Sequence, residues 1–174
     1  KRIVSIALVL MMLLSLVNTS VFAAEGSGEA EVKATITVDT TGLKEVKVGD
    51  EISVPVKITG NPGIAGYTLT ATWDTEVFAA AETLYTAGEL TGTGFSVNGN
   101  NAVWASDSNV TGDGVLFTIH LKARKAAENS EISVALPTDQ AVNNAETSAV
   151  AVEFVKGSVT VAGVEKAPLL GEND

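Results

Sequence analysis

The sequence contains no cysteine, a single histidine, four prolines, two tryptophans and two tyrosines in 174 residues. Without cysteine there is neither a disulfide framework nor a thiolate metal site, so the folded state must rest on burial alone. Basic side chains are also scarce, 11 Lys and Arg against 21 Asp and Glu, for a net charge of −10. A surface that acidic repels phosphate backbones and anionic lipid heads, which argues against nucleic-acid and membrane-surface roles.

Only one long apolar run exists, and it lies at the start. Lys1 and Arg2 precede the apolar stretch Ile3 to Val17, followed by Asn18, Thr19 and Ser20 and a small-residue cleavage pattern at Val21-Phe22-Ala23. The run is shorter than the roughly 20 residues a spanning helix needs, so residues 1–23 read as a signal peptide cut after Ala23 and the protein as exported, with a retained N-terminal anchor as the alternative. Removing Lys1 and Arg2 takes the net charge from −10 to −12. Residues 24–30 (AEGSGEA) read as a flexible leader, and residues 163–174 as a tail or the start of a linker. The stretch between them, 31–162, is large enough for a single domain that buries most of its unfolded surface.

That stretch alternates with period two. Val32, Ala34, Ile36 and Val38 share one parity; so do Ile52, Val54, Val56 and Ile58, and Val115, Phe117, Ile119 and Leu121. Further candidates are 66–73, 102–107, 132–136, 150–155 and 158–161, while Glu76 to Thr86 reads as a strand with a short helical turn. Turn chemistry separates them at Val48-Gly49-Asp50, Gly60-Asn61-Pro62-Gly63, Asn98-Gly99-Asn100-Asn101 and Gly112-Asp113-Gly114. Alternating side chains bury one strand face and wet the other. The predicted class is all-β, an antiparallel β-sandwich.

Motifs that could carry chemistry fall short. Asp107 to Asp113 has the oxygens and the glycine of a calcium loop's first half, but position twelve is Thr118, so the segment reads as a turn. His120 lies between Ile119 and Leu121 with no triad partner at visible spacing, and reads as a solvated strand residue rather than a base. The pairs Asp74 and Glu76, and Asp107 and Asp113, lack a cleft to face each other across.

Five segments in order resemble the cohesin family: VKVGDEISVPVKI (46–58), GIAGYTLTATWD (63–74), AVWASDS (102–108), GDGVLFTIHLKA (112–123) and VNNAETSAVAVEFVKGSVTV (142–161). Two departures are plain, Trp73 where the family has Tyr and Thr75 where Pro usually follows the acid. The resemblance implies a jelly-roll sandwich of about nine strands with no active site. It implies a dockerin as partner, a paired-helix module of secreted enzymes or scaffold proteins, in a cellulosome-type complex. No cofactor or metal is expected on this chain; calcium would belong to the dockerin.

The resemblance also implies a docking face built from the strands at 63–74, 95–98, 102–107 and 114–123. If Tyr67, Leu69, Ala71 and Trp73 point inward, Gly66, Thr68, Thr70 and Thr72 point outward. By the same parity Val103 and Ala105, and Leu116, Thr118 and His120, face the partner. Ser106 joins them on the resemblance alone, since strict parity pairs it with Trp104. In the best-known cohesins the positions of Gly66, Thr68 and Ser106 are often Asn, Asp and Glu, so a more apolar dockerin helix is expected here. Two other readings stay open: a carbohydrate-binding module, weakened because Tyr67, Trp73 and Trp104 are predicted inward, and a generic surface adhesion domain.

Overall fold

The computed structural model describes residues 33–163. The expected signal peptide at 1–23 and leader at 24–30 lie outside the described residues, as does the expected tail beyond Gly163. In chain order the strands are β1 (Ala34–Val38), β2 (Val46–Lys47), β3 (Glu51–Thr59), β4 (Ile64–Trp73), β5 (Phe78–Ala87) and β6 (Phe95–Asn98). They continue with β7 (Asn101–Val110), β8 (Gly114–Ala123), β9 (Ala127–Ala135), β10 (Val152–Val155) and β11 (Gly157–Ala162). Among the described residues there is no helix.

The strands form a jelly-roll sandwich of two sheets, ordered β10-β1-β3-β8-β5 and β2-β11-β9-β4-β7-β6. Pairing is antiparallel except at two margins, where β1 runs parallel to β10 and β11 parallel to β2. β2 adds a strand that alternation could not reveal, because two residues carry no period. The Glu76–Thr86 stretch is a strand from Phe78 on. The turn before it is closed by Phe78 N–H donating to Asp74 O (2.9 Å) and capped by Glu76 N–H donating to Asp74 Oδ1 (2.8 Å).

The two inner faces meet along the predicted parities. Ile36, Val54, Val56, Ile58, Ile119 and Leu121 of one sheet, and Leu69, Ala102 and Ile132 of the other, are fully buried. Phe117 sits at the centre of an aromatic group: 5.4 Å from Tyr85 edge-on, 6.0 Å from Tyr67 and 6.3 Å from Phe95 between ring centres. Edge-to-face and offset pairs at these distances add to plain area burial.

One bulge breaks the predicted alternation. The β3–β8 register runs Val56 to Phe117 and then Lys57 to Val115, which leaves Leu116 as the extra residue. A bulge reverses parity locally. Leu116, predicted to face a partner, is fully buried, and Val115, predicted inward, is only half-buried. The Leu116 carbonyl accepts from Gly88 N–H (2.9 Å), from Tyr67 Oη–H (3.3 Å) and from the Thr91 hydroxyl. Burial pushes the Tyr67 phenol well above its ordinary range, so it stays a donor.

Candidate functional site

The six-stranded sheet turns its outer face to solvent, and the register lays out its rows. Ala135 of β9 lies opposite Thr70 of β4, which lies opposite Asn101 of β7, which lies opposite Asn98 of β6. The next rows are Thr68–Val103–Ser96, Gly66–Ala105 and Ser133–Thr72. These residues are half-buried or exposed, as a sheet surface requires. None carries a charge, although the whole chain stands at −10. The first charge appears at the margin, where Glu131 pairs with Lys156 of the β10–β11 junction.

The face is rigid. Thr70 Oγ1 donates to Asn101 Oδ1 across the β4–β7 seam. From the core side, Tyr85 Oη accepts from Ala71 N–H (3.3 Å) and donates to Asn100 O (3.0 Å), tying the middle of β4 to the β6–β7 turn. Trp104 Nε1 donates to Thr93 O (3.0 Å), holding the approach to β6. Gly94, at φ 85°, lies where a Cβ would come within 2.3 Å of Ala105 O, so only glycine lets that approach close onto β7.

The family model described as the cohesin domain matches residues 35–161 of this chain. The chain belongs to the cohesin family. No curated protein matches it in sequence. Solved cohesins share its fold. A non-cellulosomal cohesin from the hyperthermophilic archaeon Archaeoglobus fulgidus is 22% identical, with a TM-score of 0.61, over 76% of this chain and 94% of that one. The sixth cohesin of Acetivibrio cellulolyticus scaffoldin B, solved with a mutant Cel5 dockerin, is 21% identical, with a TM-score of 0.62, over 75% of this chain and 99% of that one. The cohesin of a type I cohesin–dockerin complex from Clostridium thermocellum is 20% identical, with a TM-score of 0.59, over 75% and 99%.

The cohesin sandwich brings together only some of the expected face. Gly66, Thr68, Thr70 and Thr72 line β4, and Val103 and Ala105 stand beside them on β7. Leu116, Thr118 and His120 do not join them. Their strand, β8, belongs to the other sheet, between β3 and β5, so Thr118 and His120 face out from the opposite side of the sandwich. There Thr118 lies opposite Pro55, and His120 bonds Ser53 Oγ through Nδ1 (2.9 Å) and Thr86 Oγ1 through Nε2 (2.8 Å). His120 thus completes a cross-strand hydroxyl row, with no carboxylate bonded to it among the described residues.

Ser106 also departs from the rows. The β4–β7 register jumps from Gly66–Ala105 to Ile64–Val110, so Ser106 to Asn109 form a bulge. Within it Ser106 Oγ donates to Ser108 O (2.9 Å), half-buried at the Gly66 end of the face. The neighbouring Asp107–Asp113 segment is strand and turn. Asn61 Nδ2 pins it by donating to Val110 O (3.0 Å) and Gly112 O (2.9 Å).

The strand that replaces β8 on this face is β9. Ser133 and Ala135, and the hairpin residues Ser96, Asn98 and Asn101, were not among the expected site residues. The outward direction of Ser133, Ala135 and Asn101 was legible from the buried alternation Ile132, Val134 and Ala102, Trp104, whereas β6 has no buried residue to mark its faces. The adjacency of these residues to β4 was not legible.

Proposed function

We propose that this cohesin is a non-catalytic docking module that holds a dockerin-bearing protein on the outer face of β9, β4, β7 and β6. The observation that carries the reading is the run of uncharged rows across that face on a strongly acidic molecule. A flat sheet of Thr, Val, Ala, Ser and Asn accepts a helix whose apolar side chains exclude water at the centre, while polar contacts at the rim set its register. Solved cohesins in complex with dockerins support the choice of partner.

The protein acts outside the cell after export, within a polysaccharide-degrading complex of the cellulosome type. Calcium enters through the dockerin, whose loops it orders, and this chain contributes no ligand to it. Because Gly66 and Thr68 present no carboxylate or amide on the face, the preferred dockerin carries hydrophobic recognition residues. A dockerin that relies on charged or Ser/Thr contacts leaves its polar groups unpaired there, which is costly once water is expelled.

The test is a calcium-dependent pull-down of secreted proteins with this chain as bait, followed by titration with two dockerins. One has apolar recognition positions and the other Ser/Thr pairs. Capture of dockerin-bearing proteins, lost on chelation, is expected, with the apolar dockerin bound more tightly. Equal affinities would sink the selectivity, and no capture in calcium would sink the docking reading itself.

A further inference from the structure

Next to the docking face, the end of the sandwich carries a groove of about 430 Å³ between the end of β4, the start of β9 and the turn before β5. That is within the roughly 300–1,000 Å³ of clefts that hold small molecules. One wall is Trp73. Of the two tryptophans, Trp104 is buried at 2% exposure, whereas Trp73 is half-buried and also borders a second hollow beside Thr75 and Asn100. Its Nε1 donates to Phe78 O (3.2 Å), so the indole is fixed in place with its polar edge already satisfied.

Another part of the lining is built by a third bulge. The β9–β11 register passes from Ser130–Val159 to Ala127–Val161, which sets Glu128 and Asn129 against Thr160 alone. Asn129 takes a φ of 51° and its N–H donates to Thr160 Oγ1 (3.2 Å). Left-handed residues and bulges cluster where a side chain must be re-aimed, and here both groups line the groove. Ser130 lines it too, 8% exposed, and its Oγ is buried with no hydrogen-bond partner among the described residues.

The groove's charge narrows the ligand. Among the described residues its lining carries Asp74, Glu128 and Glu131 and no cationic side chain, which disfavours anions. Its carboxylates are partly answered: Glu131 pairs with Lys156, and Asp74 accepts Glu76 N–H while Lys125 sits on Glu76. What is left is the half-buried indole of Trp73 beside hydroxyl, amide and carboxylate acceptors. That combination matches a ligand with an apolar C–H face and an equatorial rim of hydroxyls.

We infer that this groove binds a neutral saccharide, with a sugar ring laid on Trp73 and its hydroxyls donating to Glu128, Asn129 and Ser133. The site does not depend on docking, although Thr72 and Ser133 border both surfaces.

The experiment titrates the purified protein with cellohexaose, xylohexaose and mannohexaose, and separately with spermine. Tryptophan emission and the backbone amide resonances of residues 128–131 are followed. At least one sugar should shift both signals, with a Kd of about 0.1–1 mM. Trp73→Ala should abolish the response. Asn129→Gly, which keeps the left-handed backbone without strain and touches no core residue, should weaken it several-fold. Dockerin capture should survive in Asn129→Gly, which separates this site from the docking reading. The inference is overturned if no sugar shifts either signal at about 10 mM, if Asn129→Gly binds like the parent, or if only spermine responds and salt abolishes its effect.

Discussion

The same charge placed on opposite sides of the sandwich should have opposite consequences. Val103 sits in the middle of the uncharged face, between Thr68 and Ser96, and makes no side-chain hydrogen bond that a substitution would remove. Thr118 sits on the outer face of the other sheet, opposite Pro55 and Thr86. Both are half-buried strand positions. Glutamate at either should cost the fold less than about 1 kcal/mol, since that is the span of strand preference. Binding should divide them. In Val103→Glu a dockerin helix would bury a carboxylate for which the neighbouring rows supply no cation. An unpaired charge at an interface costs about 2–5 kcal/mol, or roughly 30- to several-thousand-fold in Kd. Thr118→Glu should bind within about twofold of the parent. Calorimetry in calcium buffer with one dockerin measures both, with urea melts to show that each variant is folded. Equal weakening by the two variants, or tight binding by Val103→Glu, would refute the assignment of the face.

Three further outcomes follow from the packing and the charges. Phe117→Ala removes the centre of the aromatic group and should destabilise by about 3–5 kcal/mol in urea unfolding, the range for truncating a buried Phe to Ala; a loss below about 2 kcal/mol would mean the core collapses around it. Asp39 is held down to about 2, chiefly by the Lys57 ammonium bonded to it and then by the Thr41 hydroxyl and N–H. Its contribution is therefore complete above the ordinary carboxylate value of 3.8 and is lost as pH falls through about 2. With the Lys57 side chain 43% exposed, screening reduces that contribution to about 1 kcal/mol, and Asp39→Asn should flatten the acid limb of a stability–pH curve by that amount. Gly94→Ala forces a Cβ against Ala105 O and a strained φ, so hydrogen exchange should show the β6 amides opening faster while those of β3 keep their protection.

Alternation and turn residues were enough to read the all-β class, nearly every strand and most of the core directly from the chain. A strand's two faces are a local property: Leu69 and Ala71 go in and Thr68 and Thr70 go out whichever neighbours the strand acquires. Two things escaped. A bulge adds one residue with no mark in the hydrophobic pattern, because Leu116 is as apolar as Val115 and either could have been the buried one. Sheet membership is not local at all. From Phe117 on, β8 alternates as cleanly as β9 does from Ser130, and nothing within Gly114–Ala123 says that it pairs with β3 and β5 rather than with β4.

Composition and period thus determined by themselves that the chain makes a strand-built, cysteine-free sandwich with a threonine row on one strand. Only the tertiary structure decided which rows lie side by side. Backbone hydrogen bonds between strands are the same for every sequence, and the partner is chosen by how the whole set of apolar faces closes around one core. That closure put Ser133 and Ala135 beside Thr70 and Thr72, and sent Thr118 and His120 to the far side.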